Sequence, residues 1–108
     1  MTTQELNDQL RRNIFSPGRL GKVVLTAGVS GLPLIEQIIL LKQVQRFDDF
    51  TEDNDPHGEH DFGKVDYKGE RYFWKIDYYN SDLTGGSNNP ADPSITCRIL
   101  TIMRADEY

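Results

Sequence analysis

The chain has 108 residues, with 17 Asp and Glu against 12 Lys and Arg, two histidines and one cysteine. That length accommodates one core but not two independently stable ones, and a lone cysteine excludes an internal disulfide framework. No apolar run approaches the roughly 20 residues of a membrane-spanning helix, and Met1-Thr2-Thr3-Gln4-Glu5 lacks the basic-then-apolar pattern of a secretory signal, so the expected location is cytoplasmic.

Thr2 and Glu5 stand at capping-box spacing, and Leu6, Leu10 and Ile14 recur every four residues, which predicts a helix over 3–14. Ser16-Pro17-Gly18 stops it, because proline has no amide donor and disfavours helical geometry in the residue before it. The β-branched run Val23-Val24-Leu25-Thr26 predicts a strand over 22–28. Pro33 suits a first helical turn, and a second helix is expected over 33–47. Its apolar residues (Leu34, Ile35, Ile38, Ile39, Leu40, Leu41, Val44, Phe47) cover more than a narrow stripe, so much of its circumference should pack against protein.

Beyond residue 61, strands are expected over 63–67 and 71–79, joined at Lys68-Gly69-Glu70 by a tight hairpin. The two-residue period puts Tyr72, Trp74, Ile76 and Tyr78 on one face, read as core, and Phe73, Lys75, Asp77 and Tyr79 on the other. The alternation of Lys75 and Asp77, with the acidic balance of the chain, argues against a base-stacking platform. Residues 84–93 form a Gly- and Pro-interrupted loop without a phosphate-binding fingerprint, and no cofactor is expected. A last strand over 95–104 is apolar on both faces and should lie inside the sheet, with Cys97 a buried structural thiol. The whole reads as one α+β domain over residues 1–108, two helices packed on a mainly antiparallel sheet of about four strands. Tyr72, Trp74, Ile76, Ile99 and Met103 should be buried, with Trp74 central.

The negative excess is local. Seven carboxylates lie between Asp48 and Asp61 with no Lys or Arg among them, leaving ten acids against twelve bases elsewhere, and both histidines fall in the same stretch. Asp55-Pro56-His57-Gly58 suits a type I turn, with Asp bonding back to the chain, Pro presetting the second position and Gly at the fourth. The segment has three readings: a self-bonded loop, a metal site using His57, Glu59, His60 and Asp61, or an anionic recognition surface. An EF-hand register begun at Asp53 fails because Lys64 stands where a bidentate glutamate belongs, and the HExxH zinc motif is absent. As a recognition surface, Asp53, Asp55, Glu59 and Asp61 would contact a basic protein, since the segment's own charge repels nucleic acid.

Asp53-Asn54-Asp55-Pro56-His57-Gly58-Glu59-His60-Asp61-Phe62-Gly63, then Phe73-Trp74-Lys75-Ile76-Asp77-Tyr78-Tyr79, then Leu100-Thr101-Ile102-Met103, resemble a bacterial domain-of-unknown-function family of short proteins associated with plasmids and phages. The resemblance spans nearly the whole chain and departs at Asn88-Asn89-Pro90, where an acidic residue commonly precedes the proline. It transfers no catalytic residue. Its setting implies a role in countering host defence, in regulating a mobile element or in toxin and antitoxin function. The expected function is a non-enzymatic acidic interaction protein that inhibits a nucleic-acid-binding defence complex, the alternative being a small metal-dependent enzyme.

Overall fold

The first helix, α1 (Thr3–Arg12), begins at the expected capping box: the Thr2 hydroxyl accepts from the Glu5 amide and the Glu5 carboxylate accepts from the Thr2 amide, each at 3.1 Å. The computed structural model describes residues 1–108. After a 3₁₀ turn at Gly18–Leu20 come β1 (Lys22–Leu25), a single helical turn α2 (Ala27–Ser30) and α3 (Leu34–Gln45), then β2 (Phe62–Tyr67), β3 (Glu70–Asn80) and β4 (Thr96–Arg104). The strands form one sheet in the order β1-β4-β3-β2, antiparallel except for the parallel β1–β4 pair. This is the expected α+β architecture, and β4 takes the expected internal place. No helix is long and apolar enough to cross a membrane.

Lys68 and Gly69, the two residues between β2 and β3, both hold positive φ (51° and 78°), as a two-residue hairpin turn of the favoured twist requires. Strand phase follows the alternation. Tyr72, Trp74 and Ile76 are buried and join Leu100 and Ile102 of β4, Val29 of α2, Leu40 and Val44 of α3, and Leu10 and Ile14 in one core cluster. Trp74 is fully buried.

Four expectations differ from the structure. The strand expected over 22–28 stops at Leu25, because Thr26 opens α2: the Glu107 carboxylate accepts from the Thr26 hydroxyl (2.7 Å) and the Gly28 amide (2.9 Å), fixing that turn from the far end of the chain. Ile99 is only half-buried, since the helices cover one sheet face and Ile99 lies on the other, in register with Asp77. Met103, on that same face, is buried; it is in register with Phe73, which packs with Phe62 and Tyr108 in an aromatic patch. Cys97 is likewise half-buried, on the open face. On α3 only Leu40 and Val44 are fully buried, while Leu34, Ile35 and Ile39 are exposed, so the helix is covered on one side alone.

Gly63 shows how tightly β2 meets the core. A Cβ there would collide with the indole Nε1 of Trp74 and lie 2.9 Å from Phe47 Cζ. Gly63→Ala is therefore expected to cost about 1–3 kcal/mol through overpacking, read as a lower urea midpoint with an unchanged slope. An unchanged midpoint would mean that Trp74 repacks without strain.

Candidate functional site

The acidic segment leaves α3 and closes on itself in two steps. The Thr51 amide donates to Asn54 Oδ1 (2.9 Å), the Asn54 amide to the Thr51 hydroxyl (3.3 Å) and the Asn54 side-chain amide to the Asp49 carbonyl (2.8 Å). The Asp55-Pro56-His57-Gly58 turn then forms as expected, with the Gly58 amide on the Asp55 carbonyl at 3.1 Å. Asp55 Oδ1 also accepts from the amides of Glu59 (3.0 Å) and His60 (3.1 Å). Two residues here, Gly58 (φ 64°) and His60 (φ 56°), adopt the left-handed conformation. For His60, which carries a Cβ, that geometry costs energy and must be held by its contacts.

Those contacts come from α1. Gln4 Nε2 donates to the Gly58 carbonyl at 2.9 Å and meets His60 Nε2 at 3.2 Å; Asn7 Nδ2 donates to the Glu59 carbonyl at 3.0 Å. Asp8 Oδ1 lies 2.9 Å from His60 Nδ1, and Asp55 Oδ2 lies 3.6 Å from His60 Nε2. The pattern is satisfied with the ring proton on Nδ1, given to Asp8, while Nε2 accepts from Gln4. The imidazole stacks on Phe50 with centroids 3.7 Å apart and planes within 3°.

Asp8 also pairs with Arg11 at 3.1 Å. Arg11 Nη1 donates to the carbonyls of Val44 (3.3 Å) and Gln45 (2.9 Å), capping the C-terminal end of α3, and Gln45 Nε2 caps α1 in return through the Arg12 carbonyl at 2.8 Å. The Arg11 guanidinium lies 5.5 Å from the centroid of Phe50 and 5.6 Å from that of Trp74. Burial lowers its pKa from the ordinary value, and Asp8 opposes that shift.

A second network anchors Glu59. Asn7 is fully buried; its Nδ2 also donates to the Tyr78 hydroxyl (2.7 Å), which donates to Glu59 Oε2 (3.1 Å), and its Oδ1 accepts from Arg98 Nε (2.9 Å). Arg98, itself buried, donates to the Pro90 carbonyl and lies 5.3 Å over the Tyr78 ring. Burial above all raises the Tyr78 phenol and lowers the Arg98 guanidinium.

The four candidate contact residues are thus placed differently. Asp53 is exposed; Asp55 is turned inward, its side chain 6% exposed; Glu59 is held by Tyr78; and Asp61 is half-buried. Asp48, Asp49 and Glu52 are exposed beside Asp53. His57 is exposed while His60 is half-buried against α1, and no group of three or more His, Cys, Asp or Glu side chains is placed to hold a metal ion. A cleft of about 270 Å³ lies between the C-terminal ends of α1 and α3, lined by Asp8, Arg11, Arg12, Gln45, Arg46, Phe47, Asp48, Phe50 and His60. Asp8 orients His60 as in an acid–base pair, but the lining offers no Ser, Thr, Cys or Lys nucleophile.

Sequence reasoning missed Gln4, Asn7, Asp8 and Arg11, which hold the segment, and Tyr78 and Arg98, which hold Asn7 and Glu59. A signal was available: Asn7 and Asp8 are poor helix formers in the middle of α1, at three- and four-residue spacing from Gln4 and Arg11, so one helix face is polar where packing would favour Leu or Ala.

The chain matches the family described as protein of unknown function (DUF3768) over residues 25–107, and it belongs to that family. The match takes in the acidic segment and β2 to β4, whereas α1 precedes it. No curated protein and no solved structure matches the chain.

Asp61 provides a test of the enclosure. Burial, and then the neighbouring Glu59, push its carboxyl above the ordinary range. The folded protein therefore binds that proton more readily than the unfolded chain does. Ionisation costs stability above the raised pKa, and the cost vanishes as pH falls below the ordinary carboxyl value. Asp61→Asn is expected to stabilise the fold at neutral pH by an amount that shrinks to nothing on acidification, followed by urea unfolding across pH. A gain that persists unchanged in acid would place the effect in packing instead.

Proposed function

We propose that this DUF3768 member is a non-enzymatic interaction protein of a mobile genetic element that binds a basic protein and inhibits a nucleic-acid-binding host-defence complex. The observation that carries this reading is the sorting of the carboxylates. Asp55 and Glu59 face inward and are spent on the Glu59 and His60 amides and on Tyr78, while Asp48, Asp49, Glu52 and Asp53 are exposed on a stretch held by the Asn54 bonds to Thr51 and Asp49 and by Phe50 stacked on His60.

Bracing matters because a segment already ordered gives up less conformational entropy on binding than a mobile one. Four exposed carboxylates within six residues create a local negative potential that speeds encounter with a basic surface and repels nucleic acid. The protein's net charge of −5 works in the same direction. The recognition set expected from sequence contracts accordingly: Asp53 makes contact, and Asp55, Glu59 and Asp61 shape the segment. The metal-dependent alternative lacks a converging ligand set.

Affinity capture from the natural host, followed by identification of bound protein, tests the partner class. With a captured basic partner, Glu52→Gln combined with Asp53→Asn is expected to slow association by roughly 3- to 10-fold and flatten its salt dependence, with dissociation and thermal midpoint little changed. Asp55→Asn should act the other way, lowering the midpoint, because its inward carboxylate braces two amides. Unchanged association kinetics in the double variant would remove the exposed carboxylates from the interface.

A further inference from the structure

We infer that α3 is the contact surface of a homodimer in which two copies pair antiparallel through Leu34, Ile35, Ile38 and Ile39. Leu34 is 72% exposed, Ile35 64% and Ile39 38%, and Ile38 is half-buried. The spacings 34 to 38 and 35 to 39 stack the four on one side of the helix. They form an aliphatic strip on the side facing away from Leu40 and Val44, open to solvent at Leu34, Ile35 and Ile39 and partly covered at Ile38.

Three features select a second copy as the occupant. The strip is self-complementary: a two-fold axis between Glu36 and Gln37 sets Leu34 against Ile39 of the other copy and Ile35 against Ile38, as an isologous contact demands. No free charge interrupts it, because the one charged residue in the span, Glu36, is held by Lys68 at 2.8 Å and by the Tyr67 hydroxyl at 3.3 Å. The charges beyond the strip discriminate further. Lys42 and Arg46 continue the same side and would repel a basic partner seated on the helix, whereas antiparallel pairing carries them past the partner helix's start. Twelve residues of helix span about 18 Å, so the acidic segments that follow each α3 fall at opposite ends of the dimer. Parallel pairing would set those anionic segments side by side. The contact rests on four aliphatic side chains from each copy, so the balance of monomer and dimer depends on protein concentration.

The experiment is sedimentation equilibrium of the full chain across micromolar concentrations. Wild type is expected to move from 12.4 kDa toward twice that mass. Ile35→Glu should stay monomeric throughout, with unchanged circular dichroism and the thermal midpoint that wild type shows at concentrations where it is monomeric, since the side chain is exposed in the monomer. Register is read by mixing Leu34→Cys and Ile39→Cys, each in a Cys97→Ser background: the mixed disulfide should form faster than either homodisulfide. A wild type that remains monomeric, a dimer that survives Ile35→Glu, or homodisulfides that form faster would each overturn the assignment. So would monomeric wild type that binds anionic phospholipid vesicles and loses that binding in Ile35→Glu, which would give the strip to a membrane surface.

Discussion

Arg11 is the point at which both long helices, the sheet and the acidic segment meet. A guanidinium that is 3% exposed has lost its water and must recover hydrogen bonds and charge from protein. Its Nη atoms do so from the Val44 and Gln45 carbonyls and from Asp8, over the faces of Phe50 and Trp74, while Nε is left without a partner. Each supplier is thereby fixed: α3 ends where its carbonyls are capped, Phe50 tucks under α1, and Asp8 is aimed at His60. Removing one partner from a buried ion pair of this kind typically costs about 3–5 kcal/mol, because the remaining charge is left uncompensated. An aliphatic residue in its place would also strip the cap from α3. The acidic segment is folded by its own Asp55 and Asn54 side chains and is docked on the core through Phe50, beside Arg11, and through His60, beside Asp8.

The seven carboxylates consequently divide by environment. Asp55 has two backbone amides and Glu59 has the Tyr78 hydroxyl, so these carboxylates find hydrogen-bond donors within the protein. At Asp61 burial and then the neighbouring Glu59 outweigh a backbone hydrogen bond, and its pKa is raised. Asp48, Asp49, Glu52 and Asp53 stay in water, where charge is cheap to keep and is screened over about 8–10 Å. A run that is uniform in sequence becomes a scaffold with an anionic rim.

Much of the fold was legible because it rests on local rules. The two-residue alternation of Tyr72, Trp74 and Ile76, the Thr2/Glu5 cap and the Asp55-to-Gly58 turn each depend on neighbours within a few residues. What escaped depends on distant ones. The turn at 27–30 is stabilised by Glu107, the half-burial of Ile99 follows from helices covering one sheet face only, and the bracing of the acidic segment runs through Asn7 and Asp8. On α3 the apolar pattern reads as a helix wrapped by protein, and no local feature reveals that this chain covers only the side carrying Leu40 and Val44.

The position of β4 governs how the molecule can be made. It is the last strand in sequence but lies within the sheet, with β1 parallel on one side and β3 antiparallel on the other. Lys22 cannot meet Ile99, nor Leu10 the fully formed core containing Leu100 and Ile102, until β4 has left the ribosome. Contacts of such high sequence separation slow folding, since loop closure must come before the stabilisation it brings. During synthesis the β2–β3 hairpin has one long unpaired edge and a half-covered tryptophan, the kind of surface that draws in foreign strands. The topology thus delays completion of the sheet until β4 is made, and the hairpin is the part most in need of protection while the chain waits for its central strand.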